Sequence, residues 1–121
     1  MANTFKVVTF AAEPSSAGTA YKMYTVAGST TTVVLGLVLT NIHSSAVTAE
    51  VELVSDTGSR GGANNVTNGT SFLVKDVNIP AGSSLEVFIC GKVVMETTDY
   101  LNIDCSVADK LSGTLSIMEI T

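Results

Sequence analysis

Apolar and polar positions alternate along this chain in short runs, and no window of helical length carries an apolar stripe at i, i+3, i+4, i+7 spacing. The clearest run is Val47-Thr48-Ala49-Glu50-Val51-Glu52-Leu53. Its alternation places Val47, Ala49, Val51 and Leu53 inside and Thr48, Glu50 and Glu52 in water. Leu85, Val87 and Ile89 alternate likewise, as do Leu101, Ile103, Cys105 and Val107. Strands are predicted at Thr4–Phe10, Ala20–Val26, Thr31–Thr40, Ala46–Val54, Ser71–Ile79, Ser84–Ile89, Lys92–Met95, Tyr100–Val107 and Thr114–Ile120, separated by Gly, Pro, Asn, Asp and Ser clusters. Short strands at this spacing predict an all-β fold: a single-domain antiparallel β-sandwich, jelly-roll or immunoglobulin-like, of about eight strands.

Two features depart from simple alternation. The run Val33-Val34-Leu35-Gly36-Leu37-Val38-Leu39 is apolar on both faces. That suits a central strand covered on both sides or one buried in an oligomer, and Gly36 marks a bulge or a close backbone approach. Pro80, which has no N–H to donate, ends a ladder ahead of the turn Ala81-Gly82-Ser83-Ser84. Glu96-Thr97-Thr98-Asp99 reads as a hairpin connection. Asp56–Thr70 is a long Gly- and Asn-rich loop, and Ala11–Thr19 is a second polar stretch. Residues 1–19 are read as a flexible N-terminal arm and 20–121 as the sandwich domain, without an internal repeat.

At 121 residues the chain suits one domain with a real core. Valine and threonine lead the composition, which favours pleated surfaces. Charged residues make up only 14% against 45% hydrophobic, which excludes a disordered tail. The net charge is −5, and the basic residues Lys6, Lys22, Arg60, Lys75, Lys92 and Lys110 are scattered. Without a basic stripe to neutralise phosphates, nucleic-acid binding is not expected. Seven consecutive apolar residues are too few to cross a bilayer, so no membrane partner is expected. Met1–Lys6 lacks the pattern of a signal peptide, which points to maturation in cytoplasm. On that reading, the sequons at Asn65 and Asn68 are loop residues.

The candidate chemistry is sparse. Ser55-Asp56-Thr57-Gly58-Ser59 contains the Asp-Thr-Gly-Ser string of aspartic proteases, in which two subunits each supply a carboxylate that shares one proton. Ser55 stands where such sites carry an apolar residue, and no supporting apolar-apolar-glycine element follows; a turn closing the preceding strand is the favoured reading of the string, with a dimeric aspartic protease using Asp56 a remote alternative. His43 is the only histidine and has no metal-ligating partners at ligand spacing or nucleophile motif beside it. Asp99, Asp104 and Asp109 are too widely spaced for a calcium loop. No catalytic residue, metal or cofactor is expected. If Thr97-Thr98 formed a two-residue hairpin loop, Cys90 would lie opposite Cys105 within disulfide reach. In cytoplasm the two would remain buried free thiols.

The order of blocks carries a resemblance. Thr30-Thr31-Thr32-Val33-Val34-Leu35-Gly36-Leu37-Val38-Leu39-Thr40-Asn41 is followed by an alternating strand and a variable loop. Then come Val74–Leu85 (containing Ile79-Pro80-Ala81-Gly82-Ser83-Ser84), Lys92–Leu101 and Leu115–Ile120. This succession resembles the small β-sandwich virion proteins of tailed bacteriophages, especially marine and cyanobacterial phages. One departure is Thr97-Thr98-Asp99, where a glycine is expected before the aspartate. The resemblance implies a non-enzymatic virion protein, either a head decoration (cement) protein or a tail, neck or fibre component. Its implied partners are the major capsid protein or tail proteins, with self-association as a homo-oligomer such as a trimer. The expected contact residues are Phe5, Val7, Phe10 and Pro14 of the arm, and Arg60, Asn64 and Asn65 of the long loop.

Overall fold

The structure, a computed structural model, describes residues 2–55, 69–88 and 91–121. Among these residues, nine strands form two antiparallel sheets: β1 Asn3–Glu13, β2 Tyr21–Thr25, β3 Thr31–Asn41, β4 Val47–Val54, β5 Thr70–Ile79, β6 Ser84–Glu86, β7 Val93–Met95, β8 Tyr100–Cys105 and β9 Leu111–Ile120. One sheet has the order β1-β9-β3-β6, with β7 also on β3, and the other has the order β2-β8-β4-β5. β6 and β7 lie end to end along the same side of β3, against Val38–Thr40 and Thr32–Val34, and act as one interrupted edge strand. Counted so, the chain is one long antiparallel hairpin. Its arms pair as β1 with β9, β2 with β8, β3 with β6/β7, and β4 with β5. The hairpin is wound up so that β9 also joins β3 in one sheet while β8 joins β4 in the other. This is the jelly-roll arrangement, the first of the two sandwich types expected.

The alternation translates directly into a core. Val47, Ala49 and Val51 of β4, Leu101, Ile103 and Cys105 of β8, and Leu111, Leu115 and Ile117 of β9 are all buried. Val34, Leu37 and Leu39 of β3 complete the inner face, with the phase reset by a bulge between Val34 and Gly36. The turn after Pro80 closes through a hydrogen bond from Ser83 N to Pro80 O (3.0 Å), with Gly82 at φ 72°, a conformation glycine adopts without strain. Asn41, fully buried, holds the β3–β4 corner: its Nδ2 donates to Ser45 O and Ile79 O (both 2.9 Å), and its Oδ1 accepts from His43 N (2.8 Å).

Two expectations are corrected. Asn3–Glu13 is a strand paired with β9 from Asn3↔Ile120 to Glu13↔Leu111, so this part of residues 1–19 belongs to the sandwich and is not a flexible arm. Phe10 enters the core, where its ring packs edge-on against Tyr21 at 5.4 Å. The turn Glu96–Asp99 forms, with Asp99 N donating to Glu96 O (3.0 Å), but it carries the chain from one sheet to the other. β8 pairs with β2 and β4, and Cys105 faces Ala49 in register, so among the described residues no β7–β8 hairpin ladder forms. Cys105 is a buried free thiol; Cys90 lies outside the described residues.

Candidate functional site

The outer side of the β1-β9-β3-β6/β7 sheet is the most distinctive surface. Its inward residues are fixed by the core, so the alternate positions point away. Register places Phe5, Met118, Val33 and Val94 in one row across four strands, with Val7, Ser116 and Gly36 in the next and Thr9, Thr114, Val38 and Glu86 in a third. Phe5 is 72% exposed, Val7 64%, Val94 59% and Val38 39%, while Val33, Leu35 and Met118 are partly exposed. Glu86, at the β6 margin, is the one formal charge among these strand positions. A sheet face ordinarily alternates apolar-in with polar-out; here both faces of β3 are apolar, as its sequence suggested, and the described residues bury only one.

The other sheet presents the opposite chemistry. Glu50 pairs with Lys75 at 3.0 Å, Asn102 Nδ2 donates to Glu52 Oε1 at 3.0 Å, and Lys22 lies 4.0 Å over the Tyr100 ring. A shallow depression of about 260 Å³ lies among Glu50, Glu52, Phe72, Lys75 and Asn102. A polar cluster bridges the two sheets at one end of the sandwich. Tyr24 OH donates to Glu119 Oε2 (2.6 Å) and shares a hydrogen bond with Thr32 Oγ1 (2.7 Å), and Lys6 Nζ sits 2.7 Å from Glu119 Oε1. Burial, and then the bond to Glu119, push the Tyr24 phenol up to about 12. The Glu119 carboxyl is held below its ordinary value, first by the hydrogen bond from Lys6 and then by that from Tyr24.

The sequence-derived candidates separate on this frame. Phe5 and Val7 stand on the apolar face, whereas Phe10 and Pro14 are buried and do not form a docking surface. Arg60, Asn64, Asn65 and Asp56 lie outside the described residues. Asp99 is buried beside a cleft of about 480 Å³, and its carboxylate accepts from Ser55 Oγ (3.0 Å) and Glu96 N (2.9 Å), which anchors the turn. Asp104 accepts from Gly18 N and Cys105 N, and Asp109 sits in a separate turn. Among the described residues, no three His, Cys, Asp or Glu side chains converge as a metal would require, and no helix is long and apolar enough to cross a membrane. Sequence reasoning missed Val94 and Met118 as parts of one surface. The doubly apolar β3 run was the available signal, but only the register joins it to them.

No protein-family model and no curated protein matches this chain. Among solved structures, it is similar to a chain from a study of Bacillus endospore appendages, described as a novel family of disulfide-linked pili. The identity is 16% and the TM-score 0.48, over 99% of this chain and 87% of the other. A likeness at that level carries no argument about function.

Proposed function

We propose that this protein is a non-enzymatic structural protein of a tailed-phage virion that decorates the head by binding capsid subunits. The observation that carries the reading is the apolar outer face of the five-stranded sheet, in a chain whose charged residues amount to only 14%. Contiguous exposed apolar patches of this kind mark surfaces that protein covers. Threonine, serine and valine around them cost little to desolvate. The block order, which resembles that of small phage sandwich proteins, supports the virion as location without choosing between head and tail; the head, with the major capsid protein as partner, is our reading of the apolar face. A cement protein binds assembled shells and stabilises them by mass action.

Heads assembled without this protein and then heated provide the test. They should release their genome at a lower temperature than complete heads, and the purified protein should rebind them and restore the difference. Failure to rebind, with unchanged head stability, would contradict the decoration role.

A further inference from the structure

We infer that the outer face of the five-stranded sheet is covered by the same face of a second copy of this chain, in a two-fold dimer that is the unit placed on the particle. The inference rests on the reading of the chain as an assembly protein and names the occupant of its apolar face.

Gly36 is the first reason. Glycine inside a strand weakens it, so it calls for a cause. At Gly113 the cause is internal: an added Cβ would lie 2.4 Å from the Phe10 ring. Gly36 sits at the bulge that resets β3, but its φ is outside the left-handed region, so the bulge does not demand glycine, and an added Cβ would meet nothing within 4 Å. With Ser116 beside it in register, Gly36 makes a notch in the middle of an otherwise apolar face, open to whatever lies against the sheet. A close approach from outside the chain explains the residue. The Phe5 ring, 72% exposed on the neighbouring row, is a knob of the size such a notch receives. In an isologous interface each copy supplies both parts.

Charge is the second reason. A molecule of net charge −5 repels its own copy, and it does so least across a face whose strand positions carry one formal charge, Glu86, at the margin. Size is the third. Four strands at about 4.8 Å spacing and ten residues at about 3.3 Å rise span about 600 Å² of plane. Once side-chain relief is added, that approaches the roughly 800 Å² per partner of a standard stable interface. Two sheets stack face to face about 10 Å apart, as sandwich layers do.

Analytical ultracentrifugation of the purified full chain tests this, beside rebinding to the heads described above. The wild-type protein should sediment at twice its 12.5 kDa mass. Phe5→Lys and Val94→Lys alter exposed side chains, and Gly36→Leu starts from a Cβ that meets nothing within 4 Å in the single chain and fills the notch. Each should keep its strand content by circular dichroism and weaken the dimer by about a hundredfold or more. A monomer that still rebinds heads would overturn the inference and leave the virion reading standing, the face then being covered by capsid protein. A trimer, or a dimer indifferent to all three substitutions, would overturn it as well. A dimer sensitive to them that fails to bind heads would support the interface and overturn the virion reading.

Discussion

At Gly113 a side chain has nowhere to go, because the Phe10 ring already occupies the space a Cβ would take. Gly113→Ala should therefore cost about 1–3 kcal/mol, the usual penalty of overpacking, measured by urea denaturation. Thr98 is the converse case. It holds φ 72°, a left-handed conformation that a β-branched residue adopts only under strain, at the position before Asp99 where a glycine was expected. Thr98→Gly should stabilise the fold by about 1 kcal/mol, read from the same denaturation midpoint. The Glu119 cluster gives a pH dependence of definite sign. Its carboxyl lies below the ordinary 4.5, so its contribution is present above that value and lost as pH falls through the lower folded one. Glu119→Gln should flatten the acid limb of a Tm-against-pH curve. Tyr24, raised from 10.0 to about 12, costs stability as pH climbs between those values, and the Tyr24→Phe difference in phenolate absorbance should show it. At this scale the sequence was legible wherever one residue type allows one conformation, as with Pro80 and Gly82. It was silent on Gly113, whose reason is a ring on a strand far away in the chain.

Elements were read well where only one face is apolar. β4 and β8 alternate cleanly, and of the residues assigned inward from that alternation Val47, Ala49, Val51, Leu101, Ile103 and Cys105 are buried, while Leu53 and Val107 are only partly so. β1 resisted the same reading because Phe5 and Val7 on its outer side are as apolar as Val8 and Phe10 on its inner side, so period two does not say which face is wet. The strand itself is legible over Thr4–Phe10, but without a visible inner face its membership of the sandwich is not. Deleting residues 2–13 should accordingly unfold the sandwich, because it strips β9 of its outer neighbour and removes Phe10 from the core; loss of near-ultraviolet circular dichroism checks it. The hairpin on which an opposition of Cys90 and Cys105 was conditional is absent for a related reason. Turn residues such as Thr97 and Thr98 specify that the chain reverses, but not whether the next strand stays in the same sheet. In a wound-up hairpin, β7 and β8 are neighbours in sequence and members of different sheets.

For the whole molecule, the asymmetry between its two outer faces is the main surface feature. One sheet shows Glu50, Glu52, Lys75 and Asn102 tied in pairs, and the other shows Phe5, Val33, Val94 and Met118 in a row. The apolar face was half legible, since Val33–Leu39 suits a central strand covered on both sides or one buried in an oligomer. Its full extent needed the register that brings β1, β9 and β7 alongside β3. The site residues expected on the long loop fall outside the described chain, which leaves this face as the surface on which the account rests. The most direct measurement is the copy number of this protein relative to the major capsid protein in purified particles, by quantitative mass spectrometry. Decoration predicts hundreds of copies, near-stoichiometric with capsid subunits. A few tens or fewer would move the protein to the neck, tail or fibre, and its absence from the particle would contradict the account.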